Sequence, residues 1–291
     1  MAKLNVSDLN KILRNVTARW EAAEPAAEYH LGYSPGPDDH SLEERESLAQ
    51  ANHRRFMAAV AAAAPSYPSS VDWRHFPGQA PLPAGNYVTP VRDQKTCGSC
   101  VAFGTLAAFE SAIRIHARNP NQAVDLSEAD LFYCYAEVQG RRCSGPNGGW
   151  WPDAALAVCQ NPGVVDDPCF PYTPGDQQCN KCHDWQNRLT KISRWHKITN
   201  TADMKQWLAT KGPLITGFAV YDDFFNYKSG IYHHISGALA GGHCVCCVGY
   251  DDVRRCWICK NSWWTNWGES GFFNIEYGQV GIDATMWALE L

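Results

Sequence analysis

The sequence predicts an α+β protein, and three observations carry that expectation. Apolar residues follow helical spacing through the first half of the chain, and β-rich runs fill the last third. A 45% hydrophobic content over 291 residues supplies a sizeable core. No internal repeat organises the chain.

Leu9, Ile12, Leu13, Val16 and Trp20 share one helical face after Ser7, which is placed to cap it. Ser34-Pro35-Gly36-Pro37-Asp38-Asp39 is a turn-rich break. A second helix opens at Ser41, where Glu44 completes a capping box. Arg54-Arg55-Phe56-Met57 then leads into an alanine run ending at Pro65. That run imitates a secretory signal but lies deep in the chain, so it reads as helix and linker. Residues 1–70 contain no cysteine, whereas all thirteen fall between 97 and 259. The break divides an N-terminal extension, 1–70, from a body, 71–291.

In the body, residues 99–117 form a helix capped by Ser99, with Ala102, Leu106, Phe109 and Ile113 on one face. Another begins at Ser127, with Glu128 and Asp130 in its first turn. Leu214–Val220, His243–Tyr250, Cys256–Lys260 and Gly271–Glu276 read as strands. Asp251-Asp252-Val253-Arg254-Arg255 is a polar turn. A hairpin centred on Asp252 places His243 opposite Asn261, within cross-strand reach.

Net charge is −5 and the pI is near 6.0, with no basic run to hold nucleic acid or an anionic membrane surface. No apolar stretch reaches the roughly 18 residues of a membrane span. Thirteen cysteines favour an oxidising, extracytoplasmic or secreted setting, yet Met1 to Asp8 shows no apolar signal core, which leaves the compartment open. Twelve Trp and twelve Tyr suit either an aromatic-walled groove or a bulky core.

The chemistry concentrates in Gln94-Lys95-Thr96-Cys97-Gly98-Ser99-Cys100. Cys100 stands where a helix begins, and the roughly half positive charge of a helix N-terminus favours the thiolate. The Gln94 amide, six residues upstream, is an oxyanion donor. A nucleophilic thiol needs a base, and His243 with Asn261 as its orienting partner supplies one. Read alone, Cys97/Cys100 also allows a redox C-x-x-C. The pairs Cys179/Cys182 (with His183) and Cys256/Cys259 invite zinc or thiol-exchange readings.

These motifs together resemble the papain-like cysteine peptidases. The resemblance rests on Gln94…Cys97-Gly98-Ser99-Cys100, Gly242-His243 with Val248-Gly249-Tyr250, and Lys260-Asn261-Ser262-Trp263. Val71-Asp72-Trp73-Arg74, Thr89-Pro90-Val91, Asn147-Gly148-Gly149 and Trp267-Gly268-Glu269-Ser270-Gly271 extend it over residues 71–278, all in family order. It implies two lobes, one helical and one β-barrel-like, with the active site in the cleft between them. It implies Cys100 as nucleophile, His243 as acid and base, and Asn261 orienting His243 under the cover of Trp263. Gln94 and the Cys100 N–H would form the oxyanion hole, and the resting site would be a thiolate–imidazolium pair. Gly148 and Gly149 would hold an extended substrate backbone. Trp150, Trp151, Gly217 and Gly241 would border the pocket for the side chain two residues before the cut, an apolar pocket without strong basic preference, and Gly242 and Trp263 would also bind substrate. The plain alternative makes Trp150 and Trp151 core residues. Cys97 would pair with Cys143, and Cys134 with Cys179 or Cys182; all twelve thiols other than Cys100 could pair.

The family position after the nucleophile is usually Trp and here is Val101, which would remove a wall on the leaving-group side. Extra residues, Gly145-Pro146 among them, reshape the cleft rim. The interval from His243 to Asn261 exceeds papain's by an even count, which preserves facing. Residues 1–70 lack the usual long-helix pro-region pattern, so an inhibitory role rests on their position. The expected molecule is a monomeric endopeptidase acting on peptides or proteins without metal or cofactor, restrained as a zymogen by residues 1–70. A narrow-substrate amidase or transpeptidase of the same fold and a thiol–disulfide or metal-binding protein are the alternatives.

Overall fold

In the computed structural model, Asn5 rather than Ser7 caps the first helix, α1 (Val6–Asn15), accepting the Asp8 N–H at 3.1 Å. The structure describes residues 5–62 and 66–291; Pro65 of the linker lies outside them. Val6, Leu9 and Leu13 face inward, while Ile12 and Val16 are exposed. Trp20 is not helical: it opens strand β1 (Trp20–Ala22) after a turn in which Thr17 has a φ of 53°. Helix α2 (Leu42–Ala62) starts with the expected capping box. Ser41 Oγ accepts the Glu44 N–H at 3.2 Å, and Glu44 Oε2 accepts the Ser41 N–H at 2.8 Å.

The body opens with β2 (Ser70–Asp72) and the central helix α3 (Cys100–His116), buried from Cys100 to Ser111. Helix α4 (Glu128–Leu131) is capped by Ser127 and continues as a π-helical turn, Phe132–Ala136. Helix α5 (Pro152–Gln160) follows, with proline in its first turn, where no N–H partner is needed. Beyond lie β3 (Arg194–Ile198), α6 (Thr201–Thr210), β4 (Leu214–Tyr221), β5 (Tyr227–Tyr232), β6 (Leu239–Asp251), β7 (Cys256–Lys260), β8 (Phe272–Glu276) and β9 (Met286–Glu290). No helix among the described residues is long and apolar enough to cross a membrane.

The strands run in the order β1-β5-β8-β7-β6-β4-β9-β3, with β2 on β6, antiparallel except for β5 on β8. This is an open path rather than a closed barrel, so the second lobe is barrel-like only in its curl. Two apolar cores flank β6, and its side chains alternate between them as far as Val248, where a bulge shifts the phase. Cys244, Cys246 and Val248 join the helical core, while Val245, Cys247 and Tyr250 join the sheet core. Helix α3 lies on the β6 backbone at Gly104, where a Cβ would stand 3.1 Å from the Cys244 sulfur.

The β6–β7 hairpin departs from the expected register. Asp251 pairs with Cys256 and Cys246 with Lys260, with a bulge between Cys247 and Gly249. The ladder ends at Lys260, so Asn261 lies beyond it, and His243 sits opposite Phe218 of β4. Three disulfides form: Cys97–Cys143, Cys134–Cys179 and Cys169–Cys182. The third was not expected. Seven thiols stay free and buried, so the twelve do not all pair.

Candidate active site

Cys100 begins α3, and the loop before it is tied down twice. Cys97 is bonded to Cys143, and the Gly98 N–H donates to the Cys143 carbonyl at 2.7 Å. That bond separates the two thiols of the C-x-x-C pair. Ser99 does not cap α3. Its hydroxyl meets Tyr172 Oη at 2.8 Å, and Tyr172 in turn donates to the Gln94 carbonyl at 2.8 Å. The Gln94 amide is oriented from both ends. Its Oε1 accepts from Ser262 Oγ at 2.7 Å, and its Nε2 donates to the carbonyls of Cys97 (2.8 Å) and His30 (3.0 Å).

Across the cleft, His243 Nε2 donates to Asn261 Oδ1 at 2.7 Å, which leaves Nδ1 without a partner. Asn261 Oδ1 also accepts the Ser262 N–H at 2.7 Å, so the amide cannot turn freely. Trp263 stacks on the imidazole with centroids 4.6 Å apart and covers this hydrogen bond. Cys100 lies beside Cys244, the neighbour of His243, and the Cys244 backbone N–H favours the thiolate. This proximity arises where α3 packs on β6, although the hairpin register differs from expectation.

The cleft is filled by the chain's own residues 29–34. Tyr29 stacks on Trp263 at 4.7 Å, and the His30 carbonyl lies on Gln94. The N–H groups of Gly32 and Tyr33 donate to the Gly242 carbonyl at 3.2 and 3.0 Å. The Trp150 N–H donates to the Gly32 carbonyl at 2.8 Å, and the Ser34 N–H to the Trp150 carbonyl at 2.9 Å. Two glycines make room. A Cβ on Gly149 (φ 78°) would lie 2.3 Å from the Gly32 oxygen, and one on Gly217 would lie 2.5 Å from the Tyr33 ring.

This cover sets the electrostatics. Burial pushes the Cys100 thiol up to about 12, against backbone N–H groups of Cys244 and Gly32 that favour the thiolate. Burial likewise holds His243 down at about 4, against its hydrogen bond to Asn261. The closed site is therefore a neutral thiol beside a neutral imidazole, not the expected ion pair.

Gly241 meets Leu31, whose Cδ1 would lie 3.2 Å from an added Cβ, and Gly242 meets Tyr33. Gly148 faces the turn at Ser144 and Gly145 instead, so the close backbone approach belongs to Gly149. Trp150 borders the cleft through its backbone. Its ring is wholly buried, with Nε1 donating to Gln139 Oε1 at 2.9 Å, which is the core alternative. Trp151 is half-buried under the Arg141 guanidinium. Val101 is packed in the helical core and presents no wall. Cys179 and Cys182 sit in different disulfides and cannot share a zinc ion. Cys256 and Cys259 are buried at opposite ends of a strand-spacing of three, which points them to opposite faces. Sequence reasoning missed Tyr29, His30, Tyr33 and Arg45. Ser262 stood in a quoted motif, and its spacing one residue after Asn261 was the available signal.

The chain matches the papain family cysteine protease profile over residues 67–288. It is 34% identical to mouse (Mus musculus) pro-cathepsin H over 220 residues, 73% of this chain and 61% of that protein. It thus spans about three fifths of that relative's length. It is 33% identical to the cathepsin B-like CP3 of Giardia intestinalis over 293 residues, 94% of this chain and 88% of that one. The procathepsin B S9 structure from Trypanosoma congolense superposes with a TM-score of 0.70 at 21% identity, covering 99% of this chain and 98% of that chain, and shares the fold. The chain belongs to the papain family of cysteine proteases, whose substrates are peptides or proteins.

Proposed function

We propose that the chain is a cysteine endopeptidase whose residues 1–70 restrain it as a zymogen. What supports this reading is Cys100 beside Cys244, the neighbour of an Asn261-oriented His243 whose Nδ1 is free, with the Gln94 amide held against the Cys97 carbonyl on the loop before it. Cys100 is the nucleophile. As its sulfur bonds to the peptide carbonyl carbon, its proton passes to His243 Nδ1. Gln94 Nε2–H and the Cys100 N–H receive the oxyanion, where each donor is worth about 100- to 1000-fold in rate. His243 then returns the proton to the leaving amine, and a thioester remains. Water, deprotonated by His243, hydrolyses it and frees the thiol.

The His30 carbonyl stands in for the scissile carbonyl, since it lies on the oxyanion donor. Yet the segment runs from Trp263 past Cys100 toward the pocket at Gly217 as residue numbers rise. A substrate puts the residue two before the cut in that pocket, so it runs the other way. The reversed peptide places its amide nitrogen away from the leaving-group side, which explains a filled cleft that is not cut.

Cys100→Ala abolishes hydrolysis of an unstructured peptide, while cutting the native chain in the 65–70 linker raises it. Unchanged turnover in Cys100→Ala refutes the mechanism; an uncut chain as active as the cut one refutes the restraint. Broad cleavage across a peptide library excludes a narrow amidase or transpeptidase.

A further inference from the structure

The pocket at Gly217 holds two side chains of the N-terminal segment, not one. Tyr33 fills its outer part, with a buried hydroxyl that has no partner. Arg45 of α2 fills the inner end and is 1% exposed. Its Nη2 donates to the backbone carbonyls of Gly217 (2.8 Å) and Thr285 (3.3 Å). Its guanidinium lies 5.6 Å from the centre of the Trp287 ring and 5.5 Å from that of Tyr33. Among the described residues Arg45 has no carboxylate partner at ion-pair distance.

A buried, unpaired guanidinium is costly unless the surroundings replace its hydration. Here the catalytic body does so in part: two carbonyl dipoles meet one nitrogen, Nη2, and an aromatic face lies against the guanidinium, while Nε has no partner. Trp287 is held for this. Its indole N–H donates to Asp153 Oδ1 at 2.6 Å, and Asp153 is paired with Lys197 at 2.8 Å. Lys197 also lies 5.8 Å from the Trp287 ring, and the Asp153 carboxylate offsets its charge. The Gly217 and Thr285 carbonyls and the Trp287 ring belong to the body and stay when the segment leaves. Gly217 touches both occupants: an added Cβ would meet the Tyr33 ring, and its carbonyl accepts from Arg45.

We propose that, in the opened enzyme, this pocket takes an arginine side chain of the substrate two residues before the cut. The guanidinium of that arginine takes the place of Arg45. The proposal rests on the peptidase reading above and names its substrate class. It also departs from the wholly apolar pocket expected from sequence. Tyr33 marks the path, but its hydroxyl meets no partner, so the polar reading is of the cation.

The test uses the full chain after activation, its active sites counted by iodoacetamide. Blocked dipeptidyl coumarin amides keep one residue at the cut and carry arginine, its neutral isostere citrulline, phenylalanine or alanine before it. Arginine should exceed both citrulline and alanine in kcat/KM by about tenfold. In Trp287→Leu this preference should fall at least threefold relative to the wild type, while phenylalanine and alanine keep their ratio. Arginine equal to citrulline and to alanine overturns the proposal, and this comparison needs no variant to fold. Turnover of none of the four overturns the peptidase reading itself.

Discussion

The two lobes use their cysteines differently, although Cys100 and Cys159 of the helical lobe are also free and buried. All three disulfides lie in the helical lobe, while Cys244, Cys246, Cys247, Cys256 and Cys259 of β6 and β7 stay reduced and buried. The reason is architectural. Between Phe132 and Ile192 the helical lobe is mostly irregular chain with one regular helix, α5, and few ladder bonds. Cross-links there remove loop entropy that no sheet constrains. The sheet lobe is already fixed by paired strands, and its thiols act as small apolar side chains. The proposed catalytic set straddles this divide. Cys100 and Gln94 stand on the stapled lobe, and His243 and Asn261 on the laddered one.

Titration of the shared cleft gives the largest effect expected. A solvated imidazole takes its proton near 6.5, whereas covered His243 holds out to about 4. Between these values the closed form binds fewer protons than an open one, so lowering the pH favours opening. Above about 6.5 this term is silent. Iodoacetamide labelling of Cys100 in the full chain should therefore accelerate from pH 7 to 4.5, by at most about 100-fold. A rate that only rises with pH means the segment does not respond to His243.

Stability should separate the lobes next. Replacing Cys97 and Cys143 together by alanine should cost about 2–4 kcal/mol. It should also lower kcat, since the Cys97 carbonyl is an acceptor for Gln94 Nε2. Thermal unfolding and hydrogen exchange check this: protection should fall first around α3 to α5 and last in β6 and β7. Uniform loss across both lobes would deny the division.

The proposed catalytic set could be named from sequence because its chemistry demands particular residues: an amide before a thiol, an imidazole, a carboxamide, each in a short motif. The hairpin was legible as a hairpin but not in register, because the bulge after Cys247 leaves no mark in an all-apolar strand. Ser41 with Glu44 announced α2, since both halves of a capping box are side chains. Ser99 misled, because Tyr172, distant in sequence, takes its hydroxyl. The path of residues 29–34 through the cleft was hidden for a related reason. Its hydrogen bonds to Gly242 and Trp150 are between backbones, and backbone contacts carry no residue code.

The smallest effect tests whether the sheet-lobe thiols are only packing. Cys247 is fully buried opposite Cys259; its thiol donates to the Gly249 carbonyl at 3.4 Å and lies against the Cys259 thiol. Cys247→Ala removes one sulfur from a close-packed core and leaves the ladder intact. The expected cost is about 1 kcal/mol, the scale of a small cavity, with kcat/KM unchanged. Because the lobe is held by strand pairing, no added reductant should alter that result. A larger loss, or one that depends on reductant, would mean that Cys247 and Cys259 bond in the protein as it exists. The contrast between a stapled lobe and a laddered one would then be a matter of degree.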